Sequence, residues 1–334
     1  MNSLLTDALG SVLRDQCTPE AIRTLEAHPH PHHPLWTELQ ASGFADALVS
    51  QAHGGAGLSL AEAYPLIELC GQHAMPCPFA ETLLGRAWLA QAGLTVPAGP
   101  LAMAQALESP TGLHTGGVRG ARLAEAVLLA FDGQVRLLPI ASAELAPDVF
   151  PLDARLRWSR AAWESAPVLP GLRELQTSQA SLYAALIAGA LLQVFQRTLQ
   201  YANERQQFGK PIGKFQAIQH QLSVMSEHVF AARMAAQLAF PDSHTRMVDP
   251  LRAAIAKART SEAALEVAAL SHAIHGAIGF TTEYDLQLYT RRLNLWRHTA
   301  GAESHWHDRV GAVALHTSGP ALDLLRQVSD LTPV

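Results

Sequence analysis

Residues 197–238 read RTLQYANERQQFGKPIGKFQAIQHQLSVMSEHVFAARMAAQL. This stretch predicts one helix ending near Phe208, a tight reversal, and a second helix starting near Phe215. Gly209 tolerates positive φ just past the first helix, and Pro211 cannot continue it. Beyond the turn, Ile218, Leu222, Met225, Val229, Ala232 and Ala236 fall four, three, four, three and four apart, which draws one apolar stripe along a helix. Gln216, Gln219, His220 and Glu227 lie off the stripe. Two long helices joined by so short a turn pack antiparallel.

The same apolar spacing continues on either side. Leu182, Leu186, Gly189, Gln193, Gln196 and Gln200 share a face that turns polar towards Arg205. Leu251, Ile255, Ala258, Leu265, Ala268 and Ala269 mark a third helix closed by His275-Gly276 and Gly279, and Leu286, Tyr289, Leu293 and Trp296 mark a fourth. Four such helices in near-sequential antiparallel order make a bundle. Residues 1–97 read as helical. In their middle, Gly54, Gly55 and Gly57 lead to Ser59, an N-cap with Glu62 three positions on, the pattern of a capping box. This glycine loop has neither the Walker lysine nor a preceding strand, so it is no phosphate loop.

Between these helical parts the texture changes. Val127–Phe131 and Val135–Ile140 flank Asp132-Gly133, a hairpin signal, and Gly116, Gly117 and Gly120 punctuate an earlier strand region. Residues 98–168 therefore read as a small antiparallel β domain of barrel or sandwich type. The chain is expected to be mainly α, with an N-terminal helical domain (1–97), this middle β domain (98–168) and a C-terminal four-helix bundle (169–334).

Composition excludes several classes. A chain of 334 residues with 49% hydrophobic content is long enough for two or three domains with a substantial core. A net charge of −5 gives no reason to expect nucleic acid. The only lysines are Lys210, Lys214 and Lys257, so two of the three stand in the hairpin turn. Three cysteines, Cys17, Cys70 and Cys77, fit a reducing cytoplasm better than a disulfide framework. No signal peptide precedes Asp7, and no run approaches the roughly 18 apolar residues of a membrane span, so a soluble cytoplasmic protein is expected. Four histidines crowd HPHPHHP (28–34), but the alternating prolines scatter the imidazoles, and a solvated inter-helix loop is the expectation. His298, His305 and His307 have no cysteine or acid at zinc spacing. No metal is expected.

The eighteen residues RQQFGKPIGKFQAIQHQL (205–222) resemble the signature hairpin of the acyl-CoA dehydrogenase family. Three other stretches resemble it too: AHGGAGLSLAEAYPLIELCGQHAMPCPFAETLLG (52–85), GGVRGARLAEAVLLAFDGQVRLLP (116–139) and HGAIGFTTEYDLQLYTRR (275–292). The resemblance implies an FAD-dependent flavoprotein that desaturates an acyl-CoA thioester between its α and β carbons, in acyl-CoA metabolism. Its partners would be the acyl-CoA, an electron-transfer acceptor protein, and further copies or a related chain in a homo- or hetero-oligomer. By resemblance, Arg205 meets the pyrophosphate of a neighbouring subunit's FAD and Phe208 lies near the adenine. Gly276 and Gly279 bring backbone close to the same cofactor. A guanidinium fork suits phosphate oxygens, and glycine leaves room for phosphate to approach backbone. Read without the resemblance, Arg205 is a cation at a helix C-terminus.

The sequence also departs from the family. The T-E-P-x-A-G-S-D-like loop that helps bind flavin and thioester is absent, and ALESPTGLHTGG (106–117) stands near its place. The W-x-T/S segment that cups the flavin ring is not identifiable. The second glycine of the G-G-x-G turn is Ala277, and Ala273 replaces a usual glutamine. Removing the α proton requires a carboxylate base in a dry pocket. The family's usual position for that glutamate falls at Ala300, and an alternative on the helix before Arg205 falls near Gln179. Glu303 is the acid close enough to substitute. The alternative to an autonomous enzyme is a non-catalytic partner subunit of a heteromeric acyl-CoA dehydrogenase.

Overall fold

The computed structural model of the chain describes residues 2–172, 174–242 and 247–329. They form two compact units: Met1–Leu66 with Met75–Gln179 and Asp242–Met247, and Ile67–Ala74 with Ala180–Pro241 and Val248–Val334.

The first unit opens with helices α1 (Asn2–Gln16), α2 (Pro19–Ala27) and α3 (Pro34–Ala41). Thr18 and His33 cap the second and third, and prolines occupy their first turns, where the missing N–H costs nothing. His33 is buried, and its Nδ1 accepts from the Trp36 amide at 3.2 Å. The histidine-rich loop is therefore not wholly solvated, because capping draws one imidazole inside. Burial also lowers the His33 pKa to about 4, with a smaller contribution from His30, so the ring caps in its neutral form.

The expected capping box opens α4 (Leu60–Gln72). Ser59 N donates to Glu62 Oε2 at 2.8 Å, and Glu62 N donates to Ser59 Oγ at 3.2 Å. Helix α5 (Phe79–Gln91) is buried on every face from Phe79 to Leu89.

Six strands follow: β1 (Leu101–Ser109), β2 (Gly112–Val118), β3 (Ala126–Phe131), β4 (Gln134–Pro139), β5 (Glu144–Pro147) and β6 (Ala154–Trp158). Their order is β4-β3-β1-β2-β6-β5. The β3–β4 hairpin turns at Asp132 (φ 49°) and Gly133 (φ 68°), both left-handed as a two-residue hairpin requires. The expectation of a wholly antiparallel sheet fails at one place, since β1 and β3 are parallel. Strand β2 folds back on one edge of β1, and residues 119–125 then return the chain so that β3 runs along the other edge in the same direction. Leu113, Val127, Leu129, Leu156, Trp158 and Trp163 pack the sheet's core. Helix α6 (Arg160–Ser165) closes the region, capped by Ser159.

The long helix α7 (Leu175–Glu204) begins in the first unit and runs through the second. There it joins α8 (Gln216–Leu238), α9 (Pro250–His275), α10 (Leu286–His298), α11 (Glu303–His316) and α12 (Ala321–Ser329). The predicted stripe of α8 is buried at Leu222, Met225, Val229, Ala232 and Ala236.

Helix α9 differs from expectation, because Leu265 is half exposed. Its buried positions are mainly small residues, among them Ala253, Ala254, Ala256, Ala258, Ala263 and Ala264. Small side chains let α8, α10 and α11 approach α9 closely, so its packing surface is not a leucine stripe. By length and composition α7 and α9 could each span a membrane, but 83% of the α7 window is buried inside the protein.

Candidate functional site

Helix α7 ends at Glu204, four residues before the predicted end, because RQQFGKP forms a small hairpin of its own. Strands β7 (Gln206–Gln207) and β8 (Lys210–Pro211) pair, and the Ile212 amide closes back on Arg205 O at 2.8 Å. Phe208 (φ 51°) and Gly209 (φ 79°) make the left-handed turn. For a phenylalanine this backbone conformation costs about 1–2 kcal/mol. Its ring is 92% exposed, with only an edge contact to Phe215 at 6.2 Å. The strain and the exposure together mean that Phe208 gains little from packing within the described residues.

Behind the hairpin lies a groove of about 580 Å³, walled by Tyr201, Arg205, Phe208, Ile212, Phe215 and Ile218 on one side and by residues 273–278 on the other. The Arg205 side chain is exposed and makes no hydrogen bond or ion pair among the described residues. Gly276 (φ 65°, ψ −145°) caps α9 in a conformation essentially reserved for glycine, and a Cβ there would meet nothing within 4 Å. Its backbone thus faces open space.

Gly279 is different. It is buried and outside the groove wall, and a Cβ on it would come 3.0 Å from His275 Cβ and 3.2 Å from His272 Nδ1. The structure therefore brings Arg205, Phe208 and Gly276 to one groove and leaves Gly279 to pack the turn that presents Gly276.

Sequence reasoning passed over His275 and Tyr201, which hold this turn in place. Their rings stack at 4.4 Å, and the Tyr201 hydroxyl donates to His275 O at 3.4 Å. His275 Nδ1 donates to Ser271 O at 2.7 Å, which leaves Nε2 to accept from the Tyr284 hydroxyl at 3.1 Å. Burial lowers the His275 pKa foremost, and neighbouring His272 and Arg197 add to it, so the ring is neutral with one defined tautomer. The family-like text HGAIGF carried the signal for His275; nothing in the spacing marked Tyr201.

The groove fits one half of FAD. It offers a free guanidinium for phosphate, a glycine backbone turned to open space, and apolar walls with an aromatic tip for a base. The ring half fits poorly. The segment ALESPTGLHTGG is a plain strand–turn–strand, with Ser109 paired to Gly112 across Pro110 and Thr111. A Cβ on Gly112 would sit 2.1 Å from Trp158 O, and one on Gly117 1.8 Å from the Asp148 carboxylate, so both glycines serve packing. Arg119, just beyond, turns inwards to the Asp153 carboxylate and donates to Gly117 O at 3.0 Å. Burial raises the Asp153 pKa to about 6 against the pull of Arg119 and of the Gly120 amide, which donates to Asp153 Oδ1 at 2.8 Å.

Neither family position for the base carries an acid. Ala300 (φ 58°) and Gly301 (φ 105°) form a left-handed turn between α10 and α11. Buried Lys257 donates to Arg297 O (2.7 Å), Gly301 O (3.1 Å) and Ser261 Oγ (2.9 Å), and Trp306 Nε1 lies 3.1 Å from Ala300 O. Glu303, in the first turn of α11, is ion-paired to Arg297. Burial pushes its carboxyl up, but the Arg297 hydrogen bond and charge, a backbone amide and His298 outweigh that and hold it below its ordinary range. A base working near neutrality needs the opposite shift. At the other position, Gln179 on α7 is buried, and its Nε2 donates to Glu81 Oε1 at 2.7 Å and to Met103 O at 2.9 Å. No cluster of histidine, cysteine or carboxylate side chains suited to a metal ion occurs among the described residues.

Residues 177–314 match the model of the acyl-CoA dehydrogenase C-terminal domain. Acyl-CoA dehydrogenase IpdE2 of Mycobacterium tuberculosis is 32% identical over 305 residues, covering 86% of this chain and 89% of that protein. Its namesake in Mycolicibacterium smegmatis is 28% identical, covering 86% and 91%. Among solved structures, the ChsE4-ChsE5 complex of M. tuberculosis superposes with a TM-score of 0.80 at 20% identity, over 95% of this chain and 98% of that one. Glutaryl-coenzyme A dehydrogenase in complex with glutaryl-CoA gives 0.74 at 16% identity, over 94% and 95%. The chain belongs to the acyl-CoA dehydrogenase family. It therefore shares the fold and class of oxidoreductases that act on acyl-CoA.

Proposed function

We propose that this chain is the acid-poor subunit of a heteromeric acyl-CoA dehydrogenase. Arg205, Phe208 and Gly276, with Gly279 packing the turn, serve FAD held mainly by a related chain. That related chain supplies the carboxylate that removes the α proton of the acyl-CoA and passes the electrons to an acceptor protein. FAD, when bound, supplies the hydride acceptor. This chain contributes a cation for the phosphates, an apolar wall for the adenine and the exclusion of water around both. One observation carries the reading: Glu303, the acid nearest the usual base position, is committed to Arg297 and shifted away from a base's range, while Ala300 and Gln179 cannot take a proton. The ChsE4-ChsE5 structure is a complex of two different chains, which supports the same reading.

A second reading, an autonomous flavoenzyme with Glu303 as base, draws on the intact Arg205 groove. The two separate on the visible spectrum and flavin content of the purified chain. A partner subunit is expected to purify without a flavin band and to acquire one with a related, acid-bearing chain. Stoichiometric flavin in the chain alone, with acyl-CoA desaturation abolished by Glu303→Gln, establishes the autonomous enzyme instead.

A further inference from the structure

Strand β6 alternates strictly. Ala154, Leu156 and Trp158 are buried, while the intervening Arg155 and Arg157 are exposed on the outer face of the sheet. Arg157 stands opposite His114 of β2 on one side and Glu144 of β5 on the other. Two residues back, Arg155 stands opposite Gly117 and Ala146, and the pairing with β2 slips by one residue between the two rows. Thr115 fills that bulge. Its Oγ1 accepts from the Leu156 amide at 3.0 Å in place of a ladder bond, so the irregularity is built in. Beside it lies a groove of about 450 Å³, which reaches from Ser109 and Thr111 at the β1–β2 turn to Leu145 and Ala146 on the edge strand β5. It shares no residue with the Arg205 groove.

The side chains of this groove are rich in donors. Arg157 makes no hydrogen bond among the described residues, and its Nη1 stands 3.7 Å from the carboxylate of Glu144, whose side chain is 80% exposed. Arg155 donates through Nε and Nη2 to Pro147 O at 3.4 and 3.2 Å, which leaves its Nη1 uncommitted among the described residues. His114 Nδ1 is buried with no partner, whereas Nε2 is not sealed. A buried lone pair costs less than a buried N–H, so the proton belongs on Nε2, where a ligand can accept it. The Thr111 hydroxyl has only the Ser109 hydroxyl beside it, at 3.4 Å. Two guanidiniums, an imidazole N–H and a hydroxyl thus surround a space whose single acid is loosely held.

We propose that this groove is a binding site for a small organic phosphate, a phosphomonoester held by Arg155 and Arg157. Such a group carries about −1.5 to −2 charge at pH 7 and strong acceptor oxygens, which suit guanidinium forks. Its charge outbids the lone carboxylate of Glu144 for Arg157, whereas a monocarboxylate ligand would only replace like with like. The groove is also larger than a bare phosphate needs. Its volume lies in the ordinary range of small-molecule sites, about 300–1,000 Å³, so the organic part of the ligand rests on Leu145 and Ala146. The site is independent of the flavin groove and of the acyl-CoA chemistry.

Calorimetry at low ionic strength, on the full chain alone or co-purified with a related chain, compares phenyl phosphate, inorganic phosphate and benzoate. Phenyl phosphate is expected to bind with a Kd below about 1 mM, and about tenfold more tightly than either of the others. Arg155→Met and Arg157→Met should each weaken it about tenfold, the worth of one hydrogen bond from a charged donor. Both side chains are exposed, so the two variants should melt within a few degrees of wild type. Arg14→Met, at an exposed arginine of α1 outside the groove, should leave the affinity unchanged. An equal loss in Arg14→Met means general attraction of anions and overturns the proposal. Benzoate or inorganic phosphate binding as tightly as phenyl phosphate overturns it as well, because the ligand class is then wrong. Binding that survives both groove substitutions but is lost in Arg205→Met puts the anion in the other groove, and again overturns it. Absence of any phenyl phosphate binding overturns it with the flavin reading intact.

Discussion

Lys257 is a lysine in a bundle core, 0% exposed, and its ammonium reaches two carbonyls and a hydroxyl. Burial lowers its pKa from 10.5 to about 7, while Glu303 raises it and the Arg297 guanidinium lowers it further. Its folded value lies below its unfolded value, so between pH 7 and 10.5 the unfolded chain binds the extra proton. Stability contributed through this group therefore rises with pH across that window. Between pH 7 and 9 the gain is on the order of 2 kcal/mol. Lys257→Met should remove this slope, read from urea midpoints at the two pH values. It should not collapse the fold, because both carbonyls keep a donor: Ser261 Oγ lies 3.3 Å from Arg297 O, and Trp306 Nε1 lies 3.2 Å from Gly301 O. The variant at pH 7 is expected within about 1 kcal/mol of wild type or above it, as is common when an apolar residue of similar size replaces a buried charge. An unchanged pH slope would show that Lys257 does not titrate there.

The hairpin β7–β8 is the element in which local sequence and local structure disagree most. Every other feature of the turn agrees with its chemistry: glycine at the second left-handed position, proline at the end of the return strand, and Lys210 Nζ 4.4 Å above the Phe215 ring. Phe208 alone breaks the rule for a left-handed residue, and its ring gains almost no contact in return. Replacing it with glycine removes about 1–2 kcal/mol of backbone strain but adds about 1 kcal/mol of unfolded-state freedom, so the chain's own stability should hardly change. Assembly and flavin retention should fall, measured by sedimentation and absorbance on the complex with a related chain. If Phe208→Gly assembles and retains flavin like wild type, the ring has no role beyond its own subunit.

The elements also show where periodicity can be read. The stripe of α8, the faces of α7 and α10, the capping box of α4 and the Asp132-Gly133 hairpin were all legible, because each depends on residues near one another in sequence. The helix end at Glu204 was not, because the short antiparallel pair of 206–207 with 210–211 competes with another helical turn. The parallel pairing of β1 with β3 was not legible either, since it is set by how a connection crosses the sheet. On α9 the alanines that pack closest carry no strong hydrophobic signal, and the search for leucine spacing passed over them.

At the scale of the molecule, the departures from the family fall in separate places, and that decides what a repair could do. The motifs made Arg205 and Gly276 legible, and the structure gives them a shared groove. The losses were legible only as absences: no acid at Ala300, no T-E-P loop near 106–117. The structure shows how firmly each vacancy has been rebuilt. Around Ala300 the backbone is held by Lys257 and Trp306, and Glu303 by Arg297. In the β region Arg119 is drawn into Asp153, and Gly112 and Gly117 of β2 are packed against backbone and carboxylate. A glutamate at 300 would have to adopt φ near 58° beside a backbone already fixed from both sides, and it would still lack the flavin-ring loop. Ala300→Glu is therefore expected to fold, at a cost of about 1 kcal/mol for a side chain less tolerant of the left-handed region. It should show no acyl-CoA desaturation on its own with an artificial electron acceptor. Turnover by Ala300→Glu in the absence of any other chain would mean that a single missing carboxylate separates this protein from an autonomous dehydrogenase, and the partner-subunit reading would then fail.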